Sequence, residues 1–175
     1  MKKIHLLFVI ITYAIALSSC SNDEDTVSNA SESQITGTWN LTALETNDGQ
    51  SDTNFDGTSI LTTFTEVGKD FDTVITFTDN PNIVTSEGNY TTVTTTTIME
   101  ETSTEEVIGE DFFENNEWRL DGNILYFGSD EEEVGFTITK LSDSRMSLRY
   151  ELDETVDFLG FETNVSATYN MTLSK

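Results

Sequence analysis

The run FETNVSATYNMTL, residues 161–173, decides the fold. Phe161, Val165, Ala167, Tyr169, Met171 and Leu173 fall on one face of an extended chain; Glu162, Asn164, Ser166, Thr168, Asn170 and Thr172 fall on the other. Alternation at period two marks a half-buried strand, because successive side chains leave opposite faces of the pleat. Upstream, Met146, Leu148, Tyr150 and Leu152 alternate with Ser147, Arg149, Glu151 and Asp153. Earlier still, Val134, Phe136 and Ile138 alternate with Gly135, Thr137 and Thr139. Short polar connections over 141–145 and 157–160 join these three strands into consecutive hairpins.

The same signal extends towards the N-terminus. Asp121-Gly122 separates Trp118-Arg119-Leu120 from residues 123–127, and a DG pair between alternating hydrophobics is a strong hairpin cue. Trp39, Leu41 and Ala43 share a face opposite Thr38, Asn40 and Thr42. Residues 71–78 and 83–99 supply further strands, linked through Asp79-Asn80-Pro81-Asn82. Residues 46–59 and 100–111 read as polar connections, and 60–67 fits either a strand or a short helix. Thr91 to Thr97 is almost a threonine homopolymer, a strand with little apolar drive. Eight or nine sequential strands predict an all-β chain, either an antiparallel up-and-down β-barrel of about eight strands or a two-sheet sandwich. The inward aromatics would be Trp39, Phe77, Trp118, Phe127, Phe136, Tyr150 and Tyr169. The last six are the expected ligand-binding residues: large rings facing small threonines leave a cleft for an elongated apolar molecule, with Tyr hydroxyls holding its polar end.

Residues 1–19 read as a signal peptide. Lys2 and Lys3 form a positive start, and residues 4–16 form an apolar stretch too short to span a bilayer. Leu17-Ser18-Ser19-Cys20 resembles the lipobox of bacterial lipoproteins, which implies cleavage before Cys20 and acylation of that residue. Ser21 resembles an outer-membrane sorting signal, and the acidic Asp23-Glu24-Asp25 resembles the export signal of surface-displayed lipoproteins. The expected location is the outer membrane, lipid-anchored and surface-exposed. Residues 20–34 would be a lipidated, flexible tether with almost no apolar content, and 35–175 a single domain. That tether could reach ~45 Å at full extension.

Composition narrows the chemistry. The chain carries a net charge of -24; without Lys2 and Lys3, six basic residues remain against 32 acidic ones, a net charge of -26. Nucleic acid is an unsuitable partner, because phosphate binding needs a basic face. The membrane would be engaged through lipid on Cys20 alone. His5 and Cys20 are the single histidine and cysteine, so the mature domain has no imidazole and no free thiol for a catalytic triad or a zinc site. No enzyme is expected, and no cofactor beyond a weak calcium site. Asp52-Thr53-Asn54-Phe55-Asp56-Gly57 matches the first half of a calcium loop, with Asp52, Asn54 and Asp56 as ligands. The twelfth position is Thr63 where such a loop needs glutamate, so the run reads first as a polar connection of turn-forming Asn, Asp and Gly.

Three segments carry a family resemblance. ITGTWNL, residues 35–41, with Gly37 and Trp39, looks like the G-x-W opening of lipocalins, and more closely that of the lipocalin-like domain of bacterial surface lipoproteins. EWRLDGNILYF (117–127) and FTITKLSDSRMSLRYEL (136–152) resemble that family's late hairpins. The resemblance implies that Trp39 plugs the closed end of the barrel, with a basic residue of a late strand packed on it. Alternation leaves that residue unassigned, since Arg149 falls on a polar face. The chain ends at Lys175 without the helix that follows the last strand in typical lipocalins. The function expected is a tethered binding module for a small apolar ligand. The alternative is an immunoglobulin-like or other sandwich serving as a structural or interaction module, with no small-molecule ligand.

Overall fold

The computed structural model describes residue 27 and residues 30–110, 113, 116–128, 133–158 and 160–175. The expected signal peptide and the expected lipidation site at Cys20 lie outside the described residues. In chain order the described residues form helix α1 (Glu32–Ile35) and strands β1 (Gly37–Phe55), β2 (Thr58–Lys69), β3 (Val74–Phe77), β4 (Ile83–Glu87), β5 (Asn89–Ile98), β6 (Glu101–Glu110), β7 (Asn116–Asp121), β8 (Ile124–Phe127), β9 (Val134–Leu141), β10 (Arg145–Phe158) and β11 (Phe161–Ser174).

Eight strands close an antiparallel barrel in the order β1–β3–β4–β7–β8–β9–β10–β11, and β11 pairs back onto β1. Within this ring the strands follow chain order, so the topology is an up-and-down meander. The closing seam runs from Asn40↔Ser174 to Thr53↔Thr163. Two packed sheets would leave that seam unpaired, so the sandwich alternative is excluded.

Strands β2, β5 and β6 prolong β3, β4 and β7 beyond the ring. β1 pairs with β3 over residues 37–40 and with β2 over 45–55. Above the ring the wall therefore opens into a six-stranded sheet, β10–β11–β1–β2–β5–β6. The break between β4 and β5 falls at Gly88, whose φ is +100°. A Cβ there would overlap the Asp72 carbonyl oxygen, so only glycine allows the close crossing held by Asp72 N–H donating to Asn89 O at 2.8 Å. Among the described residues β6 pairs with β5 alone, and β10 beyond Arg149 pairs with β11 alone. Both edges are acidic, with Glu105 and Glu106 on β6 and Asp153 and Glu154 on β10, which opposes pairing with a further strand.

This extension corrects two expected polar connections. Residues 46–55 complete β1 and 101–110 form β6; residues 60–67 are strand; and 83–99 is two strands, not one. Strands β2, β5 and β6 bury no side chain deeply, so they lack the apolar alternation that marked the others.

The core fills the closed end. Trp39, Ile75, Phe77, Leu125, Ile138, Met146 and Leu148 are buried there. Ile35 is fully buried beneath α1, whose start is held by Ser31 N–H donating to Gln34 Oε1 at 3.1 Å. Val27 and Ala30 also pack on the core, and Ala30 N–H donates to Gly122 O in the β7–β8 turn. Within the expected tether over 20–34, two apolar side chains, Val27 and Ala30, thus pack on the barrel.

Candidate functional site

The closed end is sealed around Trp39. Its ring has no exposure, its Nε1–H donates to Ile35 O at 2.7 Å, and Gly37 starts the strand with φ +122°. Lys175 Nζ stands 4.3 Å from the Trp39 ring centroid and donates to Thr36 O at 3.3 Å. The cation on the tryptophan is therefore the last residue of the chain, held against the π-face. Arg149, on the outer face, instead pairs with Glu151 at 2.9 Å.

The six expected ligand-binding aromatics form one continuous run. Trp118 meets Phe77 edge-on at 5.7 Å, Phe77 meets Phe127 at 6.1 Å, and Phe127 meets Phe136 at 5.3 Å. Phe136 then meets Tyr150 at 5.2 Å, and Tyr150 stacks on Tyr169 at 6.1 Å. The run divides in two. Phe77, Trp118 and Phe127 face inward but are buried in the solid core, where Phe113 stacks on Phe127 and Trp118 Nε1–H donates to Thr78 O. They pack rather than line a space, since the ring is complete around them. Phe136, Tyr150 and Tyr169 line a cavity of about 270 Å³, together with Leu44, Leu152 and Met171.

Leu44 reaches this cavity through a β-bulge. Alternation from Trp39 puts Ala43 inside. The register shifts between Leu41 and Ala43, so that Leu41 faces Leu173 and Leu44 faces Met171. An extra residue on one strand reverses the facing of everything beyond it. A second irregularity, between Thr46 and Gln50, carries Asp48. Its carboxylate accepts from Thr168 N–H at 2.8 Å and from Thr168 Oγ1 at 2.7 Å. These bonds hold the Asp48 carboxyl below its ordinary range.

Above the cavity, one row of side chains crosses all six strands of the open sheet: Tyr150↔Tyr169, Tyr169↔Thr46, Thr46↔Glu66, Glu66↔Thr94 and Thr94↔Glu105. Thr94 Oγ1 donates to Glu66 Oε1 at 3.2 Å. Thr46 is fully buried and its hydroxyl has no hydrogen-bond partner. Burial, with the Glu66 charge adding to it, pushes the Tyr169 and Tyr90 phenols up, so both remain neutral O–H groups at neutral pH. Glu66, Thr46 and Leu44 escaped the sequence reading. The first lay in a stretch ambiguous between helix and strand, and the others lay beyond a bulge.

The calcium half-motif becomes a strand and a turn. Asp52 and Asn54 sit in extended β1, where Asp52 Oδ1 accepts from Ser59 Oγ and Asn54 Oδ1 accepts from Gly57 N–H at 2.9 Å. Asp56 (φ +49°) and Gly57 (φ +85°) make the two-residue turn into β2. Asp52 and Asn54 thus lie on the strand and Asp56 in the turn, and among the described residues no cluster of three or more Asp, Glu, His or Cys side chains is placed to hold a metal.

Compared with protein-family models, characterised proteins and solved structures, the chain matches none of them.

Proposed function

We propose that this protein is a lipid-anchored binding module, lipocalin-like in architecture, which holds a small apolar molecule where its closed barrel opens into the wide sheet. The observation that carries this reading is the cavity of about 270 Å³ lined by Leu44, Phe136, Tyr150, Leu152, Tyr169 and Met171. Aromatic and aliphatic walls with a few polar groups at the rim are the common composition of a small-molecule site. An eight-stranded barrel is also just wide enough to hold one small ligand. The resemblance around Gly37 and Trp39 supports a lipocalin-like reading, as does the cation held on Trp39. Anchoring at the outer membrane rests on Cys20 and its flanking residues. Ala30 and α1 meet the barrel at the closed end, beside Trp39 and the β7–β8 turn, and the mouth of the cavity lies at the opposite end. Binding rather than catalysis is supported by the lack of histidine and cysteine after residue 20.

A hydrophobic fluorescent probe tests this. Saturable binding is expected, weakened on the order of tenfold by Tyr150→Ala, because that change removes one ring of the wall. A well-folded protein that binds no such probe would overturn the reading. It would then favour a protein partner at the far end of the sheet, where Ile98 and Met99 are 42% and 73% exposed.

A further inference from the structure

The lumenal row above the cavity has a chemical bias, which deepens the binding reading and rests on it. We propose that the ligand is a cationic amphiphile, with its apolar body in the cavity and an ammonium head among Glu66, Thr46 and the tyrosine hydroxyls.

Three observations carry this. The cavity has an apolar wall, and two of its lining residues, Tyr150 and Tyr169, begin a row of acceptors that continues in cross-strand register through Thr46, Glu66 and Thr94. An ionised carboxylate only accepts hydrogen bonds, while an ammonium brings three donors and no acceptor. The fully buried Thr46 hydroxyl lacks a partner, although buried polar groups are almost always satisfied. It sits in register between Glu66 and Tyr169, where a ligand N–H bound to Glu66 could supply the missing bond.

The charges around the row agree. Strand register puts Glu101, Glu105 and Glu154 on the same face as Glu66. Among the described residues no lysine or arginine shares that face. Lys69, Arg119 and Arg149 pair with Glu106, Glu133 and Glu151, and Lys175 lies on Trp39. Lys140 and Arg145 are exposed at the closed end of β9 and β10. A fatty acid would bring its carboxylate against Glu66 in a partly desolvated site, and like charges at close range are costly there. A cation meets the carboxylate and two tyrosine rings, both favourable.

The test is competition against the fluorescent probe on the purified protein, using dodecylamine, dodecanol and dodecanoate, which share one chain length. Dodecylamine is expected to displace the probe at least about tenfold more tightly than dodecanoate, with dodecanol between them. Glu66→Gln keeps the shape of the side chain and should bring the amine down to the level of the alcohol. Should that variant not fold, the wild-type ranking alone decides. Dodecanoate binding as tightly as dodecylamine, or an amine preference untouched in folded Glu66→Gln, would overturn the proposal while leaving the pocket intact. Absence of probe binding altogether would remove the pocket and the proposal with it.

Discussion

At the residue scale, the departures from strict alternation are built by single side chains. Asp48 is the clearest. A bulge displaces the β1 backbone from Thr168, and the Asp48 carboxylate replaces the lost ladder partner with two bonds. The bonds from Thr168 lower its folded pKa, so its contribution is fully present above the unfolded carboxyl pKa and is lost as pH falls through the lower folded value. Asp48→Ala should cost about 1 kcal/mol at pH 7, the worth of a charge-assisted hydrogen bond discounted for its exposure. Denaturant titrations of both proteins should show the gap constant near neutrality and closing at acid pH; a gap independent of pH would mean the loss is steric. Lys175 illustrates the same scale: it lies just beyond β11 and supplies the cation on the Trp39 ring.

At the element scale, each strand's legibility followed its burial. β9, β10 and β11 alternate because one face covers the core or cavity and the other meets solvent. β5 and β6 do not, because beyond Tyr90 at the base their hairpin does not reach the core; threonine β-propensity and cross-strand hydroxyl pairs such as Thr97–Thr102 at 3.0 Å support them instead. Their turn is poorly matched to its residues. Met99 (φ +48°) and Glu100 (φ +73°) both occupy the left-handed region in a two-residue hairpin that favours Asn-Gly. The double substitution Met99→Asn with Glu100→Gly should raise stability by about 1 kcal/mol and increase hydrogen-exchange protection in β5 and β6. No change in either quantity would show that the extension unfolds independently of its turn.

At the scale of the whole molecule, charge and anchor act together. The mature chain would carry -26, which repels an anionic bilayer, so no surface electrostatics would help hold it to a membrane. Attachment would then rest on lipid at Cys20, and two or more acyl chains give stable anchoring where one gives only marginal binding. Cys20→Ala should abolish incorporation of labelled palmitate and remove the protein from the outer-membrane fraction. Palmitate labelling that persists in the variant would place the lipid elsewhere or dismiss the anchor. The barrel itself has a polarity: Ala30 and α1 meet it at the sealed Trp39 end, and the cavity opens at the other.

The amino-acid order by itself determined that the chain is all-β, that its last three strands form consecutive hairpins, and which rings face inward. Those properties follow from period-two burial and turn chemistry, which are local. It also marked Trp39 as an interior residue and placed Phe136, Tyr150 and Tyr169 on the face that lines the cavity. Only the tertiary structure decided between barrel and sandwich, because pairing of β1 with β11 joins segments more than a hundred residues apart and leaves no local signature. Only it decided that Phe77, Trp118 and Phe127 pack solidly, since whether inward rings fill a space depends on how many strands close around them. And only it brought Glu66 beside Thr46 and Tyr169, because two bulges reset the facing of β1, and a bulge is written in the pairing of strands rather than in the residues of either one.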